Sequence, residues 1–220
     1  MHFEVWVEDA SGKIALEHIL EKILGPNNEV HSWHIYSYRG IGRIPKNLGS
    51  TVDRKKRILL QNLPGALRAY GKSLQYGSCA VIVVVDLDDR DCTSFKSELL
   101  TILNACNPKP NTLFRIAIEE GEAWLLGDRA AVQTAYPQAK TRVLNSYIQD
   151  SICGTWEKLA DAIHPGGAES IKKQGWPSAG QAKCEWARKI APYMNVEANQ
   201  SQSFKVFRDG VRRLAGLPVT

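Results

Sequence analysis

Residues 80–85, Ala-Val-Ile-Val-Val-Val, are the stretch that most restricts how this chain can fold. A continuous apolar, β-branched run fits a strand buried on both faces, which demands packed layers on either side of a sheet. The run stops abruptly at Asp86-Leu87-Asp88-Asp89, three carboxylates in four residues. Open α/β sheets keep their ligands at the carboxyl ends of their strands, so acids at this point have chemical as well as structural meaning.

Around this strand the chain alternates between two periods. Residues 2–7 alternate as a short strand closed by Glu8-Asp9, and Ser11 stands where a helix cap belongs. Ile14, Ala15, Ile19, Leu20, Ile23 and Leu24 then follow at helical spacing until Gly25-Pro26. Gly12-Lys13 does not complete a phosphate-binding P-loop, because that motif needs a glycine where Val7 stands. Residues 29–38 are rich in aromatic and β-branched side chains and predict a second strand. A basic loop carrying Gly40 and Gly42 leads from there into a helix over 58–74, with a break or kink expected near Pro64-Gly65. The central strand is followed by a helix over 93–105, stopped by Asn107-Pro108, and by a fourth strand over 113–118. That strand also runs into acid, Glu119-Glu120-Gly121-Glu122.

Strands separated by helices predict right-handed crossovers and a mostly parallel sheet flanked by helices. Such a sheet places Glu8, Asp86, Asp88, Glu120 and Glu122 on one edge. Beyond Gly127 only helical patterns remain, at 130–135, 156–163, 181–194 and 204–214. Gly166-Gly167 and residues 177–180 read as turns, and Ser201 as the cap of the last helix. The expected division is an α/β domain over 1–136 and a helical extension over 137–220 packed on it.

With 220 residues, 44% of them hydrophobic, the chain can bury a full core and is not a disordered polypeptide. It holds no apolar run near the ~18 residues of a membrane span, and its start lacks the basic-then-apolar layout of a signal peptide, so a cytoplasmic location is expected. The five cysteines include no Cys-x-x-Cys pair, and the five histidines no metal-binding pair.

Clustered carboxylates suit Mg²⁺ or Mn²⁺, hard cations often held by one or two carboxylates together with substrate phosphates. Asp86 and Asp88, directly after the buried strand, are candidate ligands; Asp89 and Asp91 fit better as caps of the next helix. Arg39, Arg43, Lys46, Arg54, Lys55, Lys56 and Arg57 crowd positive charge into the loop after the second strand. A basic rim there would neutralise the backbone of a nucleic acid.

The acid after strand one and the Asp-x-Asp after a later hydrophobic strand resemble the Toprim domain of topoisomerases, primases and overcoming-lysogenization-defect nucleases. More closely, the chain resembles the bacterial Toprim-like family called domain of unknown function 4276. Its marks are Val7-Glu8, Asp86-Leu87-Asp88, and residues 118–128, Ile-Glu-Glu-Gly-Glu-Ala-Trp-Leu-Leu-Gly-Asp. The resemblance implies an α/β, Toprim-like (Rossmann-like), mostly parallel four-stranded sheet and a metal-dependent site in which Glu8 is the acid/base glutamate and Asp86 and Asp88 hold Mg²⁺. Glu120 and Glu122 would complete the acidic pocket, or instead make structural hydrogen bonds to the extension. Asp9 stands where the motif commonly has glycine, and Gly12 near where it commonly has a second acid. Trp124, followed by Leu125 and Leu126, reads as a core anchor.

The implied activity is Mg²⁺-dependent phosphodiester hydrolysis on DNA or RNA, in antiphage defence beside an ATPase partner. Two alternatives stand beside it. Asp86 and Asp88 also match the nucleophile and general acid of a haloacid-dehalogenase-like phosphatase, although that motif usually lies on a first strand. A non-catalytic subunit would bind nucleic acid or protein through the basic loop and the extension.

Overall fold

The computed structural model describes residues 1–49, 55, 57–74 and 78–219, with Trp176 described by its backbone alone. Four strands, β1 (His2–Val7), β2 (Ser32–Ser37), β3 (Cys79–Asp86) and β4 (Thr112–Ala117), form one sheet in the order β2-β1-β3-β4. All three pairings are parallel. The connecting helices are α1 (Ala10–Leu24), α2 (Leu59–Ser73) and α3 (Cys92–Asn104). The parallel α/β architecture expected from the alternating pattern, Rossmann-like as the resemblance implies, is the one observed.

β3 shows why its sequence had to be apolar throughout. Ala80, Ile82 and Val84 belong to a core shared with α1 and the C-terminal half, whereas Val81, Val83 and Val85 belong to a second core under α2 and α3. Successive side chains of a strand point to opposite faces, so a strand with a core on each side has no face left for polar residues. Each of the buried Val and Ile side chains contributes about 1.5–3 kcal/mol by leaving water.

Local chemistry sets the element ends, sometimes at other residues than expected. Asp9, rather than Ser11, caps α1: its carboxylate accepts the Gly12 N–H at 2.7 Å and the Ser11 hydroxyl at 2.7 Å. Gly12 is required by packing, because a Cβ there would stand 2.5 Å from Val7 Cγ2. Asp91 caps α3 by accepting the Ser94 N–H at 2.8 Å, while Asp89 is exposed and makes no such cap. α2 continues across Pro64-Gly65, so the helix does not break there.

The C-terminal half is helical: α4 (Glu122–Leu126), α5 (Arg129–Ala135), α6 (Thr141–Ser146), α7 (Thr155–Ile163), α8 (Gly167–Lys172), α9 (Trp176–Ile190) and α10 (Gln202–Ala215). Residues 177–180, expected as a turn, are the first turn of α9, where proline is tolerated because its missing N–H would be orphaned anyway. Ser201 does cap α10, its hydroxyl accepting the Phe204 N–H at 3.1 Å. Trp124 anchors this half to the sheet side: its ring stacks on Phe207 with centroids 4.8 Å apart, and its indole N–H donates to Ser203 Oγ at 2.9 Å. Among the described residues no helix is long and apolar enough to cross a membrane.

Candidate active site

The parallel sheet delivers the acidic residues to one edge, as its topology requires. Glu8 follows β1, Asp86 ends β3, and residues 119–122 follow β4. The Glu8 carboxyl is pushed up to about 7, first by burial and then by the charge of Asp88, against hydrogen bonds from the Asp86 and Ile41 backbone. Its Oε2 is buried and has no hydrogen-bond partner. Asp86 is held well above the usual carboxylate range, by burial first and the charge of Glu8 second, with Lys183 pulling the other way. A cavity of about 40 Å³ opens beside Glu8, Asp86 and Glu122, walled by apolar side chains that include Val7, Leu16, Val84 and Leu125. Such walls keep the dielectric low and make like charges costly.

Asp88 lies at the rim. It is exposed and sits in the left-handed region at φ 51°, with its N–H donating to the Glu119 carbonyl at 2.9 Å. This bend turns the chain sharply after β3 and keeps Asp88 close enough for its charge to reach Glu8.

The other two predicted acids are engaged by one lysine. Lys183 of α9 places its Nζ 3.2 Å from Glu120 Oε1 and 3.1 Å from Glu122 Oε2. Burial works against the ammonium, but Glu122, Glu120, Asp86 and Asp9 outweigh it and hold the lysine charged. Glu120 also accepts the Trp156 N–H at 3.0 Å, the hydrogen bond to the extension that was one of its two expected roles. Its carboxyl is nevertheless pushed up to about 7, chiefly by burial, with Lys183 opposing and Glu122 adding to the rise.

Glu119 is a structural pin. At φ 60°, it accepts the N–H groups of Cys153, Gly154 and Thr155 at 3.1, 2.8 and 2.9 Å, and also the Thr155 hydroxyl. Burial raises its carboxyl, but the Thr155 hydroxyl and these backbone bonds lower it more. The start of α7 has no side-chain cap of its own, so two acids from the end of β4 serve it instead.

Among the described residues no group of three or more His, Cys, Asp or Glu side chains is arranged to hold a metal ion. Mg²⁺ needs fewer protein ligands when water and phosphate oxygens complete its octahedron. Glu8 and Asp86 meet that smaller requirement: both are crowded, and Glu8 has an orphaned oxygen that a cation would satisfy. Glu120 and Glu122 do not, because Lys183 already supplies their counter-charge.

The basic loop runs beside the same edge. Gly40 donates its N–H to the Glu8 carbonyl at 3.1 Å, and the Arg39 N–H donates to the Arg57 carbonyl at 2.6 Å. Arg39, Arg43, Lys46, Lys55 and Arg57 are exposed; Arg54 and Lys56 lie outside the described residues. Gly40 and Gly42 have φ of 99° and 68°, conformations glycine adopts without strain. Arg90, after β3, reaches this loop at the Gly42 carbonyl, 3.4 Å away.

The family described as domain of unknown function (DUF4276) matches residues 7–212. The chain belongs to this family. No curated protein and no solved structure matches it. In this DUF4276 chain the match spans both the sheet and the helical half, so Lys183 and the α7 anchor lie within the family region together with Glu8 and Asp86.

Sequence reasoning missed Lys183, Glu119 and Arg90. Only Lys183 carried a usable signal. It lies four residues after Ala179 and three, four and seven before Trp186, Ala187 and Ile190, all buried, so a lysine occupies the apolar stripe of α9.

Proposed function

We propose that this protein is a Mg²⁺- or Mn²⁺-dependent phosphodiester hydrolase acting on DNA or RNA. The observation that carries this reading is the buried, partnerless Glu8 Oε2 beside Asp86, at a sheet edge bordered by exposed arginines and lysines. Crowded carboxylates that burial and mutual repulsion have pushed towards neutrality are a site poised for a cation. The likeness of Glu8 and Asp86-x-Asp88 to the Toprim pattern supports the same reading.

Asp86 and the unpartnered Glu8 Oε2, with Asp88 at the rim, would hold the cation. A bound divalent cation supplies Lewis-acid stabilisation of charge on a phosphoryl oxygen and acidifies a water. Glu8, ionised once a cation is bound, would accept a proton from the attacking water and return it to the leaving oxygen. Lys183 keeps Glu120 and Glu122 compensated so that they do not compete for the cation. Arg39, Arg43, Lys46 and Arg57 neutralise flanking phosphates.

The test is a panel of single- and double-stranded DNA and RNA incubated with Mg²⁺ or Mn²⁺. Cleavage is expected for the wild type, loss for the Asp86→Ala/Asp88→Ala variant, and a drop of about 10²- to 10⁴-fold for Glu8→Gln. Cleavage unchanged in the double variant would show that these acids do not form the reaction centre.

A further inference from the structure

The edge strand β2 carries a row of aromatic rings on the side facing α2. His34 and Tyr36 stand in register with Glu4 and Trp6 of β1, and Tyr38 follows just past the strand end. Strand geometry spaces such alternate residues by about 6.7 Å. The rings form one surface: centroids lie 4.3 Å apart for His34 and Tyr36, 6.3 Å for Trp6 and Tyr36, and 4.9 Å for Trp6 and Tyr38. Trp6 is covered, but His34 is exposed and Tyr36 is 38% exposed.

Between this row and α2 lies a groove of about 680 Å³, whose walls include Trp6, Tyr36, Tyr38, Tyr70, Lys13 and Arg57. The rings are fixed in place. The Trp6 indole N–H donates to Tyr70 Oη at 3.3 Å, and the Tyr70 hydroxyl donates to Glu4 Oε2 at 3.3 Å. Glu4 Oε1 lies 3.3 Å from His2 Nε2. Arg57 is braced on the Ser37 carbonyl at 2.8 Å, and Lys13 makes a loose exposed pair with Glu17 at 3.8 Å, which a phosphate can displace.

A face of a parallel sheet is ordinarily covered by helices, so rings held in register but left open to solvent beside two cations form a candidate binding surface. Aromatic faces flanked by positive charge suit nucleobases that stack while the phosphates are neutralised, and a duplex keeps its base faces hidden. The Tyr38 end of the row stands at the carboxyl edge of the sheet, where Tyr38 donates its N–H to the Val7 carbonyl at 3.0 Å, one residue before Glu8.

We propose that this groove is a stacking platform for single-stranded nucleic acid, feeding the strand towards Glu8 and Asp86. Its substrate class rests on the phosphodiester reading above; the stacking itself does not require turnover. Fluorescence anisotropy in EDTA tests it, with labelled oligodeoxythymidylate, labelled oligouridylate and a labelled duplex of equal length. Tighter binding of either single strand than of the duplex is expected. Tyr36→Ala should weaken that binding between about 5- and 100-fold, while Tyr36→Phe, which keeps the ring, should retain it. Equal affinity for single strand and duplex, no binding, or wild-type binding by a folded Tyr36→Ala protein would overturn the platform. So would binding of an extended peptide at this edge with no oligonucleotide binding. Tyr36-dependent binding in EDTA without cleavage under any divalent ion would count against the hydrolase and support the platform.

Discussion

At Lys183 a single ammonium answers for Glu120 and Glu122 and also feels Asp86 and Asp9. Removing one partner of a buried charge cluster strands the others, at a cost of about 3–5 kcal/mol. Lys183→Met should therefore lower the thermal midpoint. The size of the loss depends on pH in a defined direction. Glu8 and Glu120 titrate near 7 in the fold, above the ordinary glutamate range, so the folded chain holds protons that the unfolded chain releases. Their favourable contribution is complete below about 4.3 and is lost as pH rises through about 7. For Glu8 alone this amounts to about 4 kcal/mol. The cation-free wild type should thus melt lower at pH 8 than at pH 5, and Lys183→Met should lose more at pH 8, where Glu120 is ionised. Equal losses at both pH values would mean that Lys183 does not compensate these acids. In the sequence, Glu8 and Asp86 were legible because each directly follows an apolar strand. The partners of Lys183 lie about 60 residues away in the chain, and no local pattern announces such a pair.

α7 shows how one element depends on another that is distant in sequence. Its first N–H groups are satisfied by Glu119 and Glu120 from the end of β4. Loss of a helix cap typically costs about 0.5–2 kcal/mol. Glu119→Ala should destabilise the protein by that amount in urea titration and speed amide exchange at Cys153, Gly154 and Thr155; unchanged exchange there would remove its anchoring role. The elements with a clear period were legible: the strands, α1, α3 and α10 all lie within a few residues of expectation. α4, α6 and α8 were not, being only 5 or 6 residues long and held by their surroundings. In α4 every residue from Glu122 to Leu126 is buried, so no amphipathic stripe exists to be read. The start of α9 was hidden by proline and glycine, which punctuate turns more often than they open helices.

For the whole molecule, the position of the extension matters as much as its presence. One apolar cluster joins Phe3 and Ile82 of the sheet to Trp186 of α9 and Phe207 of α10, across the expected boundary at 136 and 137. A shared core of this kind predicts a single cooperative unfolding transition, with coincident urea curves from circular dichroism and tryptophan fluorescence. Two separated transitions would show that the halves fold independently. The same packing brings Lys183 to the sheet edge, where it engages Glu120 and Glu122, and leaves Glu8 Oε2 without a hydrogen-bond partner, the feature on which the proposed cation site rests. Isothermal titration of Mn²⁺ into the cation-free protein at pH 7, in two buffers of different ionisation enthalpy, tests this most directly. Saturable binding with proton release is expected, because a cation displaces the proton that Glu8 partly carries near neutrality, and both signals should vanish in Glu8→Gln/Asp86→Asn. Saturable binding that persists unchanged in that double variant, or no binding by the wild type, would contradict a cation site at this edge.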